Sequence, residues 1–161
     1  MGLDQATKAW ANAKLKGAPS ESYLGDTFRF TWATNEGAFL SLGGSLPPNV
    51  RFWLLTVAVG VLLLGLTGVA LFGKKDDSLT LVGYGWIVSG GASNWFDRAR
   101  FDGSVVDFMN MGIGSLRTGI FNVADVAILI GIGLLFIAGR NEEKAKAAAA
   151  AAAVAPPPQQ P

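Results

Sequence analysis

Long apolar stretches divide the chain into its main predicted elements. Residues 52–73 carry no charge and are long enough to cross a hydrocarbon core of about 30 Å. Residues 79–96 are rich in glycine and other small residues, which allow close helix–helix approach in lipid. Residues 120–138 form a third apolar stretch and are followed by a basic segment. This pattern predicts a mainly α membrane protein in which three spans form a transmembrane helix bundle.

The segment at approximately 23–46 has a different pattern. Polar and apolar residues alternate over Thr27–Trp32, which is the period of a half-buried strand. Pro47 and Pro48 then interrupt the chain before the first predicted span. We therefore predict a small extramembrane β element in front of the bundle, and we place residues 97–119 in an outer loop.

Basic residues orient the predicted bundle. The lysines after the first span and those after the third lie on the same side if the chain crosses three times, and the positive-inside rule makes that side cytoplasmic. Residues 1–139 are predicted to form a single membrane domain. Residues 140–161 are rich in alanine and proline, which predicts a cytoplasmic helical extension that becomes disordered.

Composition narrows the possible chemistry. The 161-residue chain contains no cysteine and no histidine, and its formal net charge is +1. Disulfides, thiolate nucleophiles, cysteine-based zinc sites and Ser-His-Asp triads are therefore excluded. The small net charge gives no indication of a nucleic-acid partner. Hydrolytic chemistry would have to use Asp, Glu, Lys, Ser, Thr or Tyr, and we expect neither a metal nor a cofactor.

Polar residues cluster near the outer ends of the second and third predicted spans. Asn94, Asp97 and Arg98 share one helical face at the end of the second span. Asp107 stands between apolar neighbours, and Asn122 and Asp125 share a face at the start of the third span. An acid at the centre of a membrane helix costs about 2.5–3.5 kcal/mol, so even an acid near a span end needs a polar partner. In chain order the clustered residues are Asn94, Asp97, Arg98, Asp107, Asn122 and Asp125.

Two carboxylates are sufficient for peptide hydrolysis. When they lie close together, one keeps a proton and the other stays charged, so that one can activate water while the other protonates the leaving group. The residues alone leave other interpretations open. Asp125 could cap its helix, Asp107 could be a solvated loop acid, and Asp97 could form a local ion pair with Arg98. Acids in membrane spans also suit a small proton- or ion-coupled membrane protein.

Five sequence blocks occur in a fixed order along the chain: residues 3–8 (LDQATK), 35–41 (NEGAFLS), 90–98 (GGASNWFDR), 103–108 (GSVVDF) and 121–125 (FNVAD). In this order they resemble the signature blocks of the lipoprotein signal peptidases. The resemblance implies a multi-pass enzyme of the bacterial inner membrane, with its active site near the periplasmic face. It also implies prolipoprotein substrates, cut just before a lipid-modified cysteine, and membrane lipids as partners, but no oligomeric state.

The resemblance also implies roles for individual residues. Asp107 and Asp125 match the family's catalytic aspartates. An inactive relative that only binds precursors is the alternative left open. The other matching positions shape the site or hold the lipid-bearing substrate, with an acid in a supporting role; they are Asn35, Asn94, Asp97, Arg98 and Asn122.

The family has four spans, and the first precedes the block that corresponds to residues 3–8. Residues 1–17 contain no apolar segment, so they predict neither a span nor a cleavable signal peptide. We therefore expect either a coding frame that extends upstream by about 20 mostly apolar residues or a shortened version of a four-span enzyme.

Overall fold

The computed structural model describes residues 1–38, 43–73 and 77–154, with a long helical part and a small sheet. Between α2 and α3 the helix continues in π-helical form over Phe52–Ala58. In chain order the elements are α1 (Gly2–Lys14), β1 (Glu21–Tyr23), β2 (Phe28–Asn35), α2 (Pro48–Arg51), α3 (Val59–Phe72), α4 (Ser78–Arg100), β3 (Val105–Ile113), β4 (Leu116–Arg117) and α5 (Val123–Val154).

Two helical segments are long and apolar enough to cross a membrane within the described residues. They are Pro48–Phe72 and Val123–Ala151, which contain the first and third predicted spans. None of the side chains of α3 is buried, although the helix is apolar all round. A helix of that kind is expected to face lipid over the surface that does not contact its neighbouring helix.

The second predicted span, residues 79–96, is helical and lies within α4. It does not reach the mean hydropathy of the other two, because glycines and serines dilute its apolar residues and its last turns are polar. The predicted count of three spans is therefore not confirmed. The described residues contain two membrane-capable segments, and the more polar helix α4 packs between them.

Glycines bring α4 and α5 into close contact. A Cβ atom at Gly90 would lie 2.5 Å from the backbone oxygen of Ala124, and one at Gly131 would lie 2.7 Å from the backbone oxygen of Gly83. Small residues at such an interface let two backbones approach closely in lipid. The C-terminal half of α4 is consequently held against the beginning of α5.

The π-helical segment is connected to α4 by one tryptophan. The indole Nε1 of Trp95 donates a hydrogen bond to the backbone oxygen of Thr56 at 2.8 Å. Gly60 makes this contact possible, because a Cβ atom there would lie 2.9 Å from that nitrogen. The tryptophan thus joins the π-helical segment to α4.

The sheet is antiparallel, with the strand order β1-β2-β3-β4. β2 and β3 pair so that Ala33 is opposite Asp107 and Asn35 is opposite Val105, with an irregularity between Phe30 and Ala33. The predicted β element near residues 23–46 is therefore only half of the sheet. The other half consists of β3 and β4, which lie where the sequence predicts an outer loop. The prediction that Asp107 lies in a loop is therefore wrong.

Helix α1 covers one face of this sheet. Ala11, Leu15 and Phe108 are buried together, and the rings of Trp10 and Phe30 meet edge to face at 5.3 Å. Trp32 donates its indole hydrogen bond to a side chain of α1 at 2.7 Å. α1 is thereby fixed between the sheet and the outer ends of α4 and α5.

Some sequence predictions fall on residues outside the described ranges. Lysines 74 and 75, which help to orient the bundle, belong to them, as do residues 39–41 of the second sequence block and residues 155–161 of the tail. Before that point, the tail is helical through Val154 as the end of α5.

Candidate active site

The start of α5 is capped reciprocally by two predicted site residues. The backbone N–H of Asn122 donates to Oδ2 of Asp125 at 3.1 Å, and the backbone N–H of Asp125 donates to Oδ1 of Asn122 at 3.0 Å. This is the arrangement of a capping box, and it places both side chains at the helix end. Helix capping, one of the interpretations left open for Asp125, is thus part of the geometry, while Oδ1 of Asp125 is left to face the neighbouring helix.

Asn122 and Asn94 connect the two acids. Nδ2 of Asn94 donates to Oδ1 of Asp125 at 2.9 Å, and Nδ2 of Asn122 donates to Oδ1 of Asp107 at 2.6 Å. Asn122 also donates to Oδ1 of Asn94 at 3.1 Å. Asn35 on β2 adds a third amide, whose Nδ2 donates to Oδ2 of Asp107 at 2.9 Å. Side-chain amides from α4, from the residue before α5 and from β2 therefore all donate to the two carboxylates.

Both acids line a single cavity of about 260 Å³. Its polar end contains the two carboxylates, the three asparagines and Arg98. The rest of its wall is apolar, and most of that part belongs to the two helical segments that can cross a membrane. These apolar residues include Leu55, Val59, Ile128, Leu129 and Ile132.

Arg98 and Asp97 point to different partners, which corrects the possible ion pair between them. Adjacent residues of a helix do not face each other. Oδ2 of Asp97 lies 2.8 Å from the ammonium of Lys8 on α1, whereas Arg98 lines the cavity and donates to the backbone oxygen of Gly37 at 2.7 Å. Arg98 thus connects the cavity to the segment that follows β2.

Sequence reasoning missed the contribution of α1. Asp4 accepts hydrogen bonds from the backbone N–H of Ala124 at 2.8 Å and from Ser93 at 2.8 Å, and it forms a 2.8 Å ion pair with Lys8. Asp4 and Lys8 are almost completely buried. Their spacing of i, i+4 was the available signal, because an acid and a base at that spacing share a helical face.

The environment of Asp107 favours its protonated form. Burial raises the pKa of Asp107 to about 6, and the nearby Asp125 carboxyl also raises it, while hydrogen bonds from Asn35 and Asn122 act in the opposite direction. Asp107 is 1% exposed. A buried acid near a second acid is the environment in which a carboxyl can keep its proton close to neutral pH.

The pKa of Asp107 predicts a pH dependence of stability. Its carboxyl has an ordinary pKa of 3.8 and a folded-state pKa of about 6, so between these values the folded protein binds more protons than the unfolded chain. The stability from this group is complete below the lower value and is lost as the pH rises through the higher one. We expect the Tm of the Asp107→Asn variant in detergent to gain on that of the wild type between about pH 4 and 7. A Tm difference that does not change with pH would contradict this.

The described residues contain no group of three or more His, Cys, Asp or Glu side chains that could hold a metal ion. The oxygen and amide groups around the cavity are arranged as hydrogen-bond partners of the two carboxylates instead. This arrangement can hold a proton between two acids and position a water molecule next to them.

Two solved structures have this fold. Both are described as bacterial membrane enzymes studied by the in meso method. The first, at 2.3 Å resolution, has a TM-score of 0.71 and 26% identity and matches 89% of this chain and 84% of its own. The second, at 1.9 Å resolution, has a TM-score of 0.68 and 27% identity, with 84% of each chain covered. The fold is that of a membrane enzyme.

The family comparison defines the enzyme more closely. The family model of signal peptidase (SPase) II matches residues 1–139. The lipoprotein signal peptidase of Acaryochloris marina is 34% identical over 144 residues, which cover 86% of this chain and 82% of that protein. The lipoprotein signal peptidase of Nostoc punctiforme is 40% identical over 136 residues, with 84% and 81% covered. The chain belongs to the signal peptidase II family and is a peptidase.

Proposed function

We propose that this chain is an aspartic endopeptidase that removes signal peptides from lipid-modified prolipoproteins, cutting just before the diacylglyceryl-cysteine. Asp107 and Asp125 are its catalytic pair. The observation that carries the proposal is that both buried carboxylates line one cavity and are connected through Asn122. The enzyme acts in the bacterial inner membrane, with this cavity near the periplasmic face, and residues 1–139 form its peptidase domain.

The mechanism follows from two acids that share one proton. The ionised carboxylate removes a proton from a water molecule, whose oxygen attacks the scissile carbonyl carbon. The protonated carboxyl hydrogen-bonds the carbonyl oxygen and then supplies a proton to the nitrogen as the C–N bond breaks. The products are a signal peptide with a new carboxylate and a lipoprotein with a new amino group on its cysteine. The apparent pKa values of the reaction belong to the pair rather than to either acid.

The two parts of the cavity suit the two parts of such a substrate. The apolar wall, which includes Val59 and Ile132, is provided by helices that can lie in lipid. An apolar signal segment or acyl chain can therefore remain in an apolar environment while its cleavage site meets the acids. Arg98 lies at the polar end, where a guanidinium can bind backbone or ester carbonyl oxygens of the substrate.

Cleavage of defined precursors tests the proposal. The purified chain would be incubated in detergent or liposomes with a precursor that carries the diacylglyceryl-cysteine and with the same precursor carrying serine at that position. We expect a cut directly before the modified cysteine, identified by mass spectrometry of both products. No cleavage of the lipidated precursor would contradict the proposal, and so would equal cleavage of the unmodified one.

Metal chelation is expected to leave cleavage unchanged. The chain has neither histidine nor cysteine, and two carboxylates surrounded by amides make a poor zinc site. The initial rate with the lipidated precursor would be measured after dialysis against EDTA and after dialysis against buffer alone. A loss of activity in EDTA that a divalent metal reverses would show that the two acids do not act alone.

A further inference from the structure

One buried lysine on α1 reaches toward the catalytic acids. Lys8 is 3% exposed. Its ammonium lies 2.8 Å from Oδ2 of Asp4 and 2.8 Å from Oδ2 of Asp97. It also donates a 2.8 Å hydrogen bond to Oδ1 of Asn94. The third contact is with an amide that itself binds Asp125.

This third contact determines the orientation of the Asn94 amide. An ammonium has only donors, so the group that faces Lys8 must be the carbonyl oxygen of the amide. The nitrogen of the same amide must then face Asp125, an acceptor, at 2.9 Å. A flipped amide would place its nitrogen against the ammonium and its oxygen against a carboxylate, and both contacts would be repulsive.

The orientation continues to the second acid. Oδ1 of Asn94, which Lys8 holds in place, also accepts a hydrogen bond from Nδ2 of Asn122 at 3.1 Å. The same Nδ2 donates to Asp107 at 2.6 Å. An amide nitrogen carries two donors, so Asn122 directs one toward Asn94 and the other toward the acid. One chain of hydrogen bonds thus runs from the lysine to both carboxylates.

We propose that Lys8 is a positioning residue for the catalytic pair: its ammonium orients the Asn94 and Asn122 amides toward the two acids, and its charge favours ionisation of one of them. This inference rests on the proposed aspartic peptidase function. The positive charge also lowers the pKa of Asp107, against the larger effect of burial. Without the ammonium, the pair would hold its protons to a higher pH and the base would be lost sooner on acidification.

Other charged groups surround the same pair, and a variant must be judged against them. Each packed element contributes: the acid of α1 next to Lys8, an acid and an arginine on α4, the acid of β3 and the acid at the start of α5. These groups are Asp4, Asp97 and Arg98, together with the pair itself, Asp107 and Asp125. Lys8 donates directly to an amide that binds one of the catalytic acids, whereas Arg98 donates to the backbone oxygen of Gly37.

A purely structural role for Lys8 makes a different prediction. The ion pairs with Asp4 and Asp97 alone would join α1 to α4, and their loss would lower stability without changing the chemistry of the folded enzyme. Gln5 offers a matched control, because its amide donates to Asp97 at 2.7 Å and to Ser93 at 3.1 Å in the same interface.

The test compares the pH dependence of cleavage by the Lys8→Gln, Lys8→Arg and Gln5→Ala variants with that of the wild type. We expect Lys8→Gln to lower kcat by about 10- to 100-fold with little change in KM, and to move the acid limb of the profile to higher pH. Lys8→Arg should keep the acid limb of the wild type. Gln5→Ala should lower Tm but leave both the acid limb and kcat unchanged.

Lys8→Gln leaves two buried acids without their cation, so it could fail to fold. The double variant Lys8→Gln/Asp97→Asn removes one positive and one negative charge and still lacks the ammonium that contacts Asn94. We expect the same fall in kcat for it. The inference would be overturned if folded Lys8→Gln had a normal kcat and the acid limb of the wild type. It would also be overturned if the folded double variant had a normal kcat. Both results would leave the peptidase function intact. No cleavage by the wild type would overturn both.

Discussion

Replacement of Asp107 or Asp125 by asparagine is expected to reduce cleavage of a lipidated precursor by about 10²- to 10⁴-fold, the usual contribution of general acid–base catalysis. Each acid has an amide as a direct partner, and neither histidine nor cysteine is present to replace a missing base. Single-turnover rates of the purified variants, with membrane insertion checked by fractionation, would measure the effect.

Asp102→Asn is the matched control for these two substitutions. Asp102 lies close to them in the sequence but is exposed and does not line the cavity. Asparagine also tolerates its left-handed backbone conformation, with φ at 54°. We expect this variant to cleave at the rate of the wild type. An Asp107→Asn or Asp125→Asn enzyme that inserts and cleaves as fast as the control would remove that residue from the catalytic pair.

The second large effect is expected at the contact between α4 and α5. In Gly90→Leu, the new Cβ atom would lie 2.5 Å from the backbone oxygen of Ala124 and 2.9 Å from a side-chain carbon of Ile128. Such overpacking costs typically about 1–3 kcal/mol. The helices must also separate next to the hydrogen bond between Asn94 and Asp125. We therefore expect a lower Tm in detergent together with a large loss of cleavage.

Gly85→Leu provides the comparison on the same helix. Among the described residues, no atom outside the helix lies within 4 Å of a Cβ built at Gly85, so the same change in volume meets open space there. We expect nearly normal Tm and cleavage for this variant. Equal behaviour of Gly85→Leu and Gly90→Leu would show that close packing of α4 on α5 does not maintain the site.

The polar residues of the cavity could be predicted from the sequence because each stands out from its surroundings. Asn94, Asp107, Asn122 and Asp125 interrupt apolar segments, where a polar side chain requires a reason. Their order also matched the blocks of a known family, which the comparison with that family supports. The structure brings all four to one cavity, although their catalytic roles stay predictions.

The strand that carries Asp107 could not be predicted in the same way. β3 is buried along its first residues and half-exposed later, so it lacks the regular alternation that indicates a strand. Its pairing with β2 joins residues 70 or more positions apart, as the contact between Asn35 and Asp107 illustrates. Long-range pairing of this kind leaves little trace in a local pattern.

The role of α1 was hidden for a different reason. Its sequence is polar and short of apolar residues, which is typical of a solvated helix. Yet its most buried side chains include Asp4 and Lys8. Buried charges can be stable when they pair with one another and with backbone donors, and those partners lie on α4 and α5, far away in the sequence.

The π-helical turns at Phe52–Ala58 determine the direction in which the side chains of α3 point around the helix axis. A π-helix takes up more residues per turn than an α-helix, so the same seven residues in regular α-helical turns would rotate α3 relative to α2. Val59 would leave the cavity wall, and Gly60 would no longer lie against Trp95. Chimeric enzymes that exchange this span should therefore be joined outside residues 52–58, because a junction within them would preserve the composition of the helix and lose its alignment with the site.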